Sequence, residues 1–194
     1  MLMTRQTITS RIQNHKISKL IQNRKAARLK DGGANIQKLT PDCAPDIFEM
    51  YTNLSIQSRQ ARFNSDLSIF SDAFLQQLAK QTAELEPKDG FGFIAYDEET
   101  GRPIGVAQAV QTESRAAEFA ITIVDDHQGQ GLGTILFKKL VERAQADNLN
   151  LLEAIVSPDN RGMHMLLMKS GLPQTIDYMS NTMVYKLYIN GRMC

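Results

Sequence analysis

The chain has 194 residues, 42% of them apolar and 22% charged, values that suit one globular domain and exclude wholesale disorder. Its two cysteines, Cys43 and Cys194, exclude a disulfide framework and a cysteine-rich zinc site, and no apolar run approaches the ~18 residues of a membrane span. The net charge of +1 conceals a division: residues 1–30 hold eight of the 22 basic side chains and no acid, which leaves 14 against 21 acids, a net of −7, in the remainder.

Residues 1–33 read as a basic arm ahead of an acidic body, closed by Asp31-Gly32-Gly33. Such an arm suits RNA, an acidic partner or its own body. No aromatics interleave its charges, so a solvated or loosely docked arm is favoured over a nucleic-acid grip. Ile8, Ile12, Leu20, Ile21 and Leu29 are loosely helical in spacing, and the acid-free start also resembles an organelle transit peptide. The N-terminus lacks the apolar block of a secretory signal, so a cytoplasmic protein without a membrane partner is expected. The sequence carries no signal of oligomeric state.

Residues 34–189 are expected to form one domain, followed by a tail at 190–194. A short alternating strand at 34–40 precedes Pro41. Residues 45–54 read as a helix with Ile47, Met50, Tyr51 and Leu54 on one face. The polar stretch 55–71 is a loop or short helix, and Asp72 can cap a helix with Phe74, Leu75 and Leu78 inward. Residues 91–96 and 103–110 form a hairpin about the turn at 97–101. Residues 116–124 alternate clearly, with Phe119, Ile121 and Ile123 opposite Glu118, Ala120, Thr122 and Val124. A glycine-rich turn leads into an amphipathic helix at 132–147, then a buried strand at 151–156. Ser157 or Asp159 can cap a further helix, ended near Ser170 by Gly171 and Pro173, and 182–189 is the last strand. The order predicts a mixed α/β (α+β) domain around one sheet.

The turn is Gln128-Gly129-Gln130-Gly131-Leu132-Gly133-Thr134. Glycines let the backbone approach a ligand, and the next helix adds its positive N-terminal dipole, so the turn suits phosphate. A P-loop needs Lys and Ser/Thr after its last glycine, and here Thr134-Ile135 follow Gly133. A dinucleotide fingerprint fits at Gly129 and Gly131 and departs at Thr134, though Glu153 lies where a ribose carboxylate could stand.

Gln128-x-x-Gly131-x-Gly133 resembles the Gln/Arg-x-x-Gly-x-Gly/Ala loop of the GNAT N-acetyltransferases. Asn160, on a helix that closes in Gly171-Leu172, resembles that family's Asn-containing helix and Gly-Phe, so the resemblance spans residues 34–189. Ser58-Arg59-Gln60-Ala61-Arg62-Phe63, Ala117-Glu118-Phe119-Ala120, Val124-Asp125-Asp126 and Asn160-Arg161-Gly162-Met163 are similar to the Pat-type bacterial protein lysine acetyltransferases. The resemblance implies the GNAT fold, a central, mostly antiparallel mixed sheet flanked by helices. It implies acetyl-CoA held by Gln128, Gly129, Gln130, Gly131, Leu132, Gly133, Thr134 and Asn160, with its thioester arm along Ile123 and Val124. The implied acceptor is a primary amine, protein lysine ahead of a small molecule; a catalytically silent CoA-binding module is the alternative.

A lysine amine, with an ordinary pKa near ~10.4, must lose a proton before it attacks. Glu118, inside an otherwise apolar strand, is the favoured general base, because partial desolvation would raise its carboxyl pKa. The Pat-type branch places its base at the matching Glu. His127, beside the turn, is a second candidate that more simply reads as a solvated side chain. His15, His127 and His164 lack ligand spacing, so no metal is implied. Cys43 reads as buried or inert, Glu113 as a loop charge, and Asp125 and Asp126 as turn residues. Many family members carry a tyrosine acid for the leaving thiolate on the Asn-containing helix; Leu167 stands there in this chain. Met163, Met165 and Met168 read as core filler.

Overall fold

The computed structural model describes residues 33–63, 71–86, 88–113 and 115–190. The basic arm as far as Gly32, with His15, and the tail from residue 191, with Cys194, lie outside the described residues.

Among the described residues seven strands form one sheet in the order β1-β2-β3-β4-β5-β7-β6. They are β1 Ala34–Lys38, β2 Gly90–Asp97, β3 Pro103–Glu113, β4 Ala116–Ile123, β5 Leu151–Val156, β6 Gln174–Met179 and β7 Thr182–Tyr188. Every neighbouring pair is antiparallel except β4 with β5, which gives the mostly antiparallel mixed sheet that was expected. Among the described residues five α-helices flank it: α1 Ala44–Thr52, α2 Ile56–Phe63, α3 Asp72–Ala83, α4 Leu132–Ala146 and α5 Arg161–Met168.

Strand alternation sorts the apolar side chains into two cores. On the first face, Ala107, Ala117, Phe119, Leu152 and Leu187 bury against Leu136, Phe137 and Leu140 of α4 and Leu167 of α5. The Phe119 and Phe137 rings lie 5.4 Å apart between centroids. On the second face, Ile94 and Val106 pack with Ile47, Met50 and Tyr51 of α1 and Leu75 and Ala79 of α3. Each large side chain buried this way stabilises by ~1.5–3 kcal/mol, so β2 and β3 are clamped from both sides. The second face of β5 is different: its Ile155 is 52% exposed.

Several local features depart from the sequence expectations. Ser71, not Asp72, caps α3, because its side chain accepts from the Phe74 N–H while Asp72 sits in the first turn. Asn160 caps α5 in place of Ser157 or Asp159, accepting from the Met163 N–H at 3.1 Å. The sequence does not announce β6, an edge strand that is half-buried at best and so shows no apolar alternation. Met165 and Met168 are 53% and 62% exposed, which corrects their reading as core filler. No helix among the described residues is long and apolar enough to cross a membrane.

Candidate active site

β4 and β5 share three residue pairs, Ala116↔Leu151, Ala117↔Leu152 and Glu118↔Glu153. Beyond them β4 stays with β3 as far as Ile123↔Gly105, while β5 stays with β7 as far as Val156↔Met183. The two strands diverge, and the peptide groups on their facing edges lose a ladder partner there. A cleft of about 1250 Å³ fills the gap. Phe119 to Ile123 and Ile155 line its strand walls, Ser58, Ala61 and Arg62 of α2 stand on one flank, and the glycine turn and the start of α5 close the rest.

The turn owes its shape to glycine. Gly129 and Gly131 have φ of 70° and 93°, and a Cβ on either would meet nothing within 4 Å, so the requirement is conformational. Gly133 is helical, and its Cβ would lie 3.3 Å from Ile123 Cδ1, so it serves close packing of α4 on the end of β4. The Thr134 and Ile135 N–H groups close onto the Gly131 carbonyl at 3.0 and 3.2 Å. Helix geometry leaves the amides just before them, Leu132 and Gly133, without an intrahelical acceptor. The positive end of α4 therefore opens at the cleft, where an anion is favoured.

Of the residues named from the sequence, Ile123, Gln128, Gly129, Gly131, Gly133, Thr134 and Asn160 line the cleft. Gln128 braces it: its Nε2 donates to Ser58 Oγ and to the Ile123 carbonyl, both at 3.0 Å. Gln130 Nε2 donates to the Asp126 carbonyl at 2.7 Å, and the Leu132 side chain is fully buried in the first core. Val124 lies outside the lining; its N–H donates to the Ile104 carbonyl and its own carbonyl accepts from the His127 N–H. Glu118 stands in the last β4–β5 pair, at the vertex of the split, with its side chain exposed. Among the described residues its side chain stays exposed, so the desolvation expected of it is not seen there.

The other candidates also find places. His127 turns from the cleft, with Nε2 3.5 Å from Asp97 Oδ2 and both side chains largely shielded. His164 is half-buried: Nε2 donates to the Ser157 carbonyl at 3.1 Å, so in the neutral ring Nδ1 accepts from the Tyr185 hydroxyl at 2.7 Å. Burial raises the pKa of that hydroxyl, and repulsion from Tyr178 adds to the shift. Leu167, at the tyrosine position of the resemblance, is fully buried.

Asp125 is the residue whose contacts the sequence conceals. Ser55 donates to its carboxylate from N–H and Oγ at 2.8 and 2.6 Å, and Ser58 Oγ donates at 2.7 Å. Partial burial pushes the Asp125 pKa up, but these hydrogen bonds outweigh it and hold the carboxyl below its ordinary value. The partners stand about 70 positions apart in the chain, so no local pattern reveals them.

Known proteins share this fold. The model of the acetyltransferase (GNAT) family matches residues 52–172, from the end of α1 past α5. An acetyltransferase of Pseudomonas aeruginosa is 30% identical over 121 residues, 61% of this chain and 63% of that protein, so the match spans under two thirds of the relative's length. The GNAT domain of S. lividans PAT superposes with a TM-score of 0.71 at 21% identity, covering 81% of this chain and 92% of that one. A spermidine N-acetyltransferase from Vibrio cholerae, solved with CoA and spermine, gives 0.60 at 18% identity, covering 80% and 94%. With the split strands, the glycine turn and both following helices inside the matched span, the chain belongs to the acetyltransferase (GNAT) family.

Proposed function

We propose that the chain is an acetyl-CoA-dependent N-acetyltransferase acting on a primary amine, with protein lysine as the favoured acceptor. The observation that carries this reading is the split between β4 and β5 running into the glycine turn at the start of α4. The split offers peptide edges to an extended, amide-bearing arm, and the turn offers N–H groups and a helix N-terminus to a pyrophosphate. Gly129, Gly131, Leu132, Gly133 and Thr134 would hold the pyrophosphate and Ile123 the arm, with Asn160 at the rim and Gln128 and Gln130 as braces. Acetyl-CoA supplies the acetyl group as an activated thioester.

Glu118 is the proposed base. It is exposed in the free chain, so the acceptor must bring the desolvation that the fold does not. An amine docked over the second face would cover Glu118 and strip water from it. Glu153, in register beside it, adds negative charge that attracts a cationic amine. The open face at Ile155 gives room for a lysine still attached to a protein surface, which favours that acceptor. The same two carboxylates would also suit a polyamine, which is the second reading.

Calorimetry with CoA tests the cofactor, and thiol release from acetyl-CoA against lysine peptides and polyamines tests the acceptor. Glu118→Gln is expected to lower turnover by about 10²–10⁴-fold with CoA affinity little changed. Higher pH should partly rescue it, because more of the amine is then already neutral. Absence of CoA binding by the folded wild-type chain would refute the reading. Undiminished turnover in the variant would transfer the base role to water.

A further inference from the structure

Asp125 joins the two flanks of the cleft. It follows β4 directly, in the single helical turn Asp125–His127 that precedes the glycine loop, yet its carboxylate faces the first residues of α2. The hydrogen bonds there have only one consistent direction. Ser55 Oγ and Ser58 Oγ each own one proton, and both protons go to Asp125 Oδ1. Ser55 Oγ then accepts from the Ser58 N–H at 3.2 Å, and Ser58 Oγ accepts from Gln128 Nε2 at 3.0 Å. The second proton on Gln128 Nε2 goes to the Ile123 carbonyl. A continuous polar chain thus runs from the end of β4, through the first residue of the glycine turn, to the N-terminal end of α2 and back to Asp125.

Otherwise α2 is lightly held. None of its residues is buried, and Ile56 is 61% exposed. Its other contacts among the described residues include Phe63, edge-on to Tyr51 at 5.2 Å and packed against the second core, and the Arg59 guanidinium on the Thr52 carbonyl. Yet this helix presents Ser58, Ala61 and Arg62 to the cleft across from Phe119–Ile123. A wall with so little burial has a low cost of local opening, so its order depends on whatever holds its first turn.

We propose that Asp125 is a positioning residue that couples the phosphate-binding turn to α2, so that a filled turn orders the wall against which the acceptor docks. The proposal rests on the reading of the cleft as an acetyl-CoA site. A ligand on the turn immobilises Gln128, Gln128 holds Ser58, and Ser58 and Asp125 together hold the helix. Coupling of this kind is reciprocal: an acceptor that orders α2 must tighten CoA by the same factor by which CoA tightens the acceptor.

The variants are Asp125→Asn and Ser58→Ala. The asparagine keeps one acceptor oxygen but sets an NH₂ group against a protein donor, and the alanine removes the hydroxyl that Gln128 reaches. In the wild-type chain, CoA is expected to slow amide hydrogen exchange in residues 55–63, and a lysine peptide is expected to tighten CoA by about 5-fold or more. Either variant should lose both effects and raise the acceptor KM by a similar factor, with CoA affinity alone changed by less than about 3-fold. The two substitutions together should do no more than either one, since both cut the same link. Wild-type CoA binding without protection of 55–63, or a variant in which CoA affinity falls in step with the acceptor KM, would overturn the coupling. Failure of the wild-type chain to bind CoA at all would instead overturn the acetyl-CoA reading on which it rests.

Discussion

Gly131 and Gly133 stand two residues apart in one motif, and the structure gives their alanine variants opposite signs. At Gly131, φ is 93° and a Cβ would meet nothing within 4 Å, so Gly131→Ala carries no clash. What it carries is the left-handed backbone cost of an L-residue, about 1–2 kcal/mol, and a φ this far positive points to the upper part of that range. For a domain of this size 1 kcal/mol moves Tm by about 2–4 °C, so a fall of about 2–8 °C is expected. Gly133 is already helical, where alanine gains roughly 0.5–1 kcal/mol over glycine. Against that gain, its Cβ would sit 3.3 Å from Ile123 Cδ1, a terminal methyl able to shift by a few tenths of an ångström. Gly133→Ala should therefore keep or slightly raise stability. Urea unfolding of the three proteins, read as midpoints at constant m, gives the comparison, and CoA calorimetry follows the loop in the same samples. If Gly131→Ala matched wild type in both midpoint and CoA affinity, the left-handed loop would not be what holds the turn. If Gly133→Ala were the more damaging of the two, close packing and not backbone conformation would be the motif's chief constraint.

Removing the α5 cap with Asn160→Ala should cost about 0.5–2 kcal/mol, whereas Asn160→Asp should keep the cap and the stability. The aspartate nonetheless puts a negative charge on the cleft, so its CoA affinity, measured by calorimetry, should fall below wild type even though its Tm does not. The Asp125 clamp also has a pH signature. Its carboxyl is held low in the folded chain, so its contribution is complete above the ordinary pKa of ~3.9 and is lost as pH falls through the folded value. Ser58→Ala should accordingly be less stable than wild type near pH 7, and the difference in unfolding free energy should shrink toward pH 3.

What the sequence shows and what it hides divide along physical lines. The alternation of β4, the glycine turn and the apolar stripe of α4 are local patterns of residues in contact with one core, and each stands within a residue or two of its expected bounds. Caps are harder, because Ser71 beside Asp72, and Asn160 beside Asp159, offer equivalent oxygens, and only the helix's entry path decides which one reaches the N–H. β6 has no clear period to detect, because this edge strand offers only Ile176 to the core and leaves most of the rest of its length in solvent. Alternation places Glu118 on the face opposite Phe119, but no local pattern tells whether that face is covered there, and the side chain is exposed. His127 met Asp97, and Ser58 met Asp125, across separations that no window of residues contains.

The parting of β4 and β5 puts a sheet edge in the middle of a sheet. An edge at the rim of a protein invites another chain to add itself, and natural sheets blunt it with charge, proline or bulges. This one is guarded by enclosure: each strand keeps its outer neighbour, and the gap between them narrows to a paired vertex at Glu118 and Glu153. A foreign strand with side chains on both faces would have to enter a wedge that tapers to nothing, whereas a thin, unbranched chain carrying amides would not. The ligand would then serve as an interrupted eighth strand, present for one turnover at a time. Saturating it at 100 times its Kd would add about 2.7 kcal/mol to the folded state, so the resting protein is expected to be the least stable form in its own cycle.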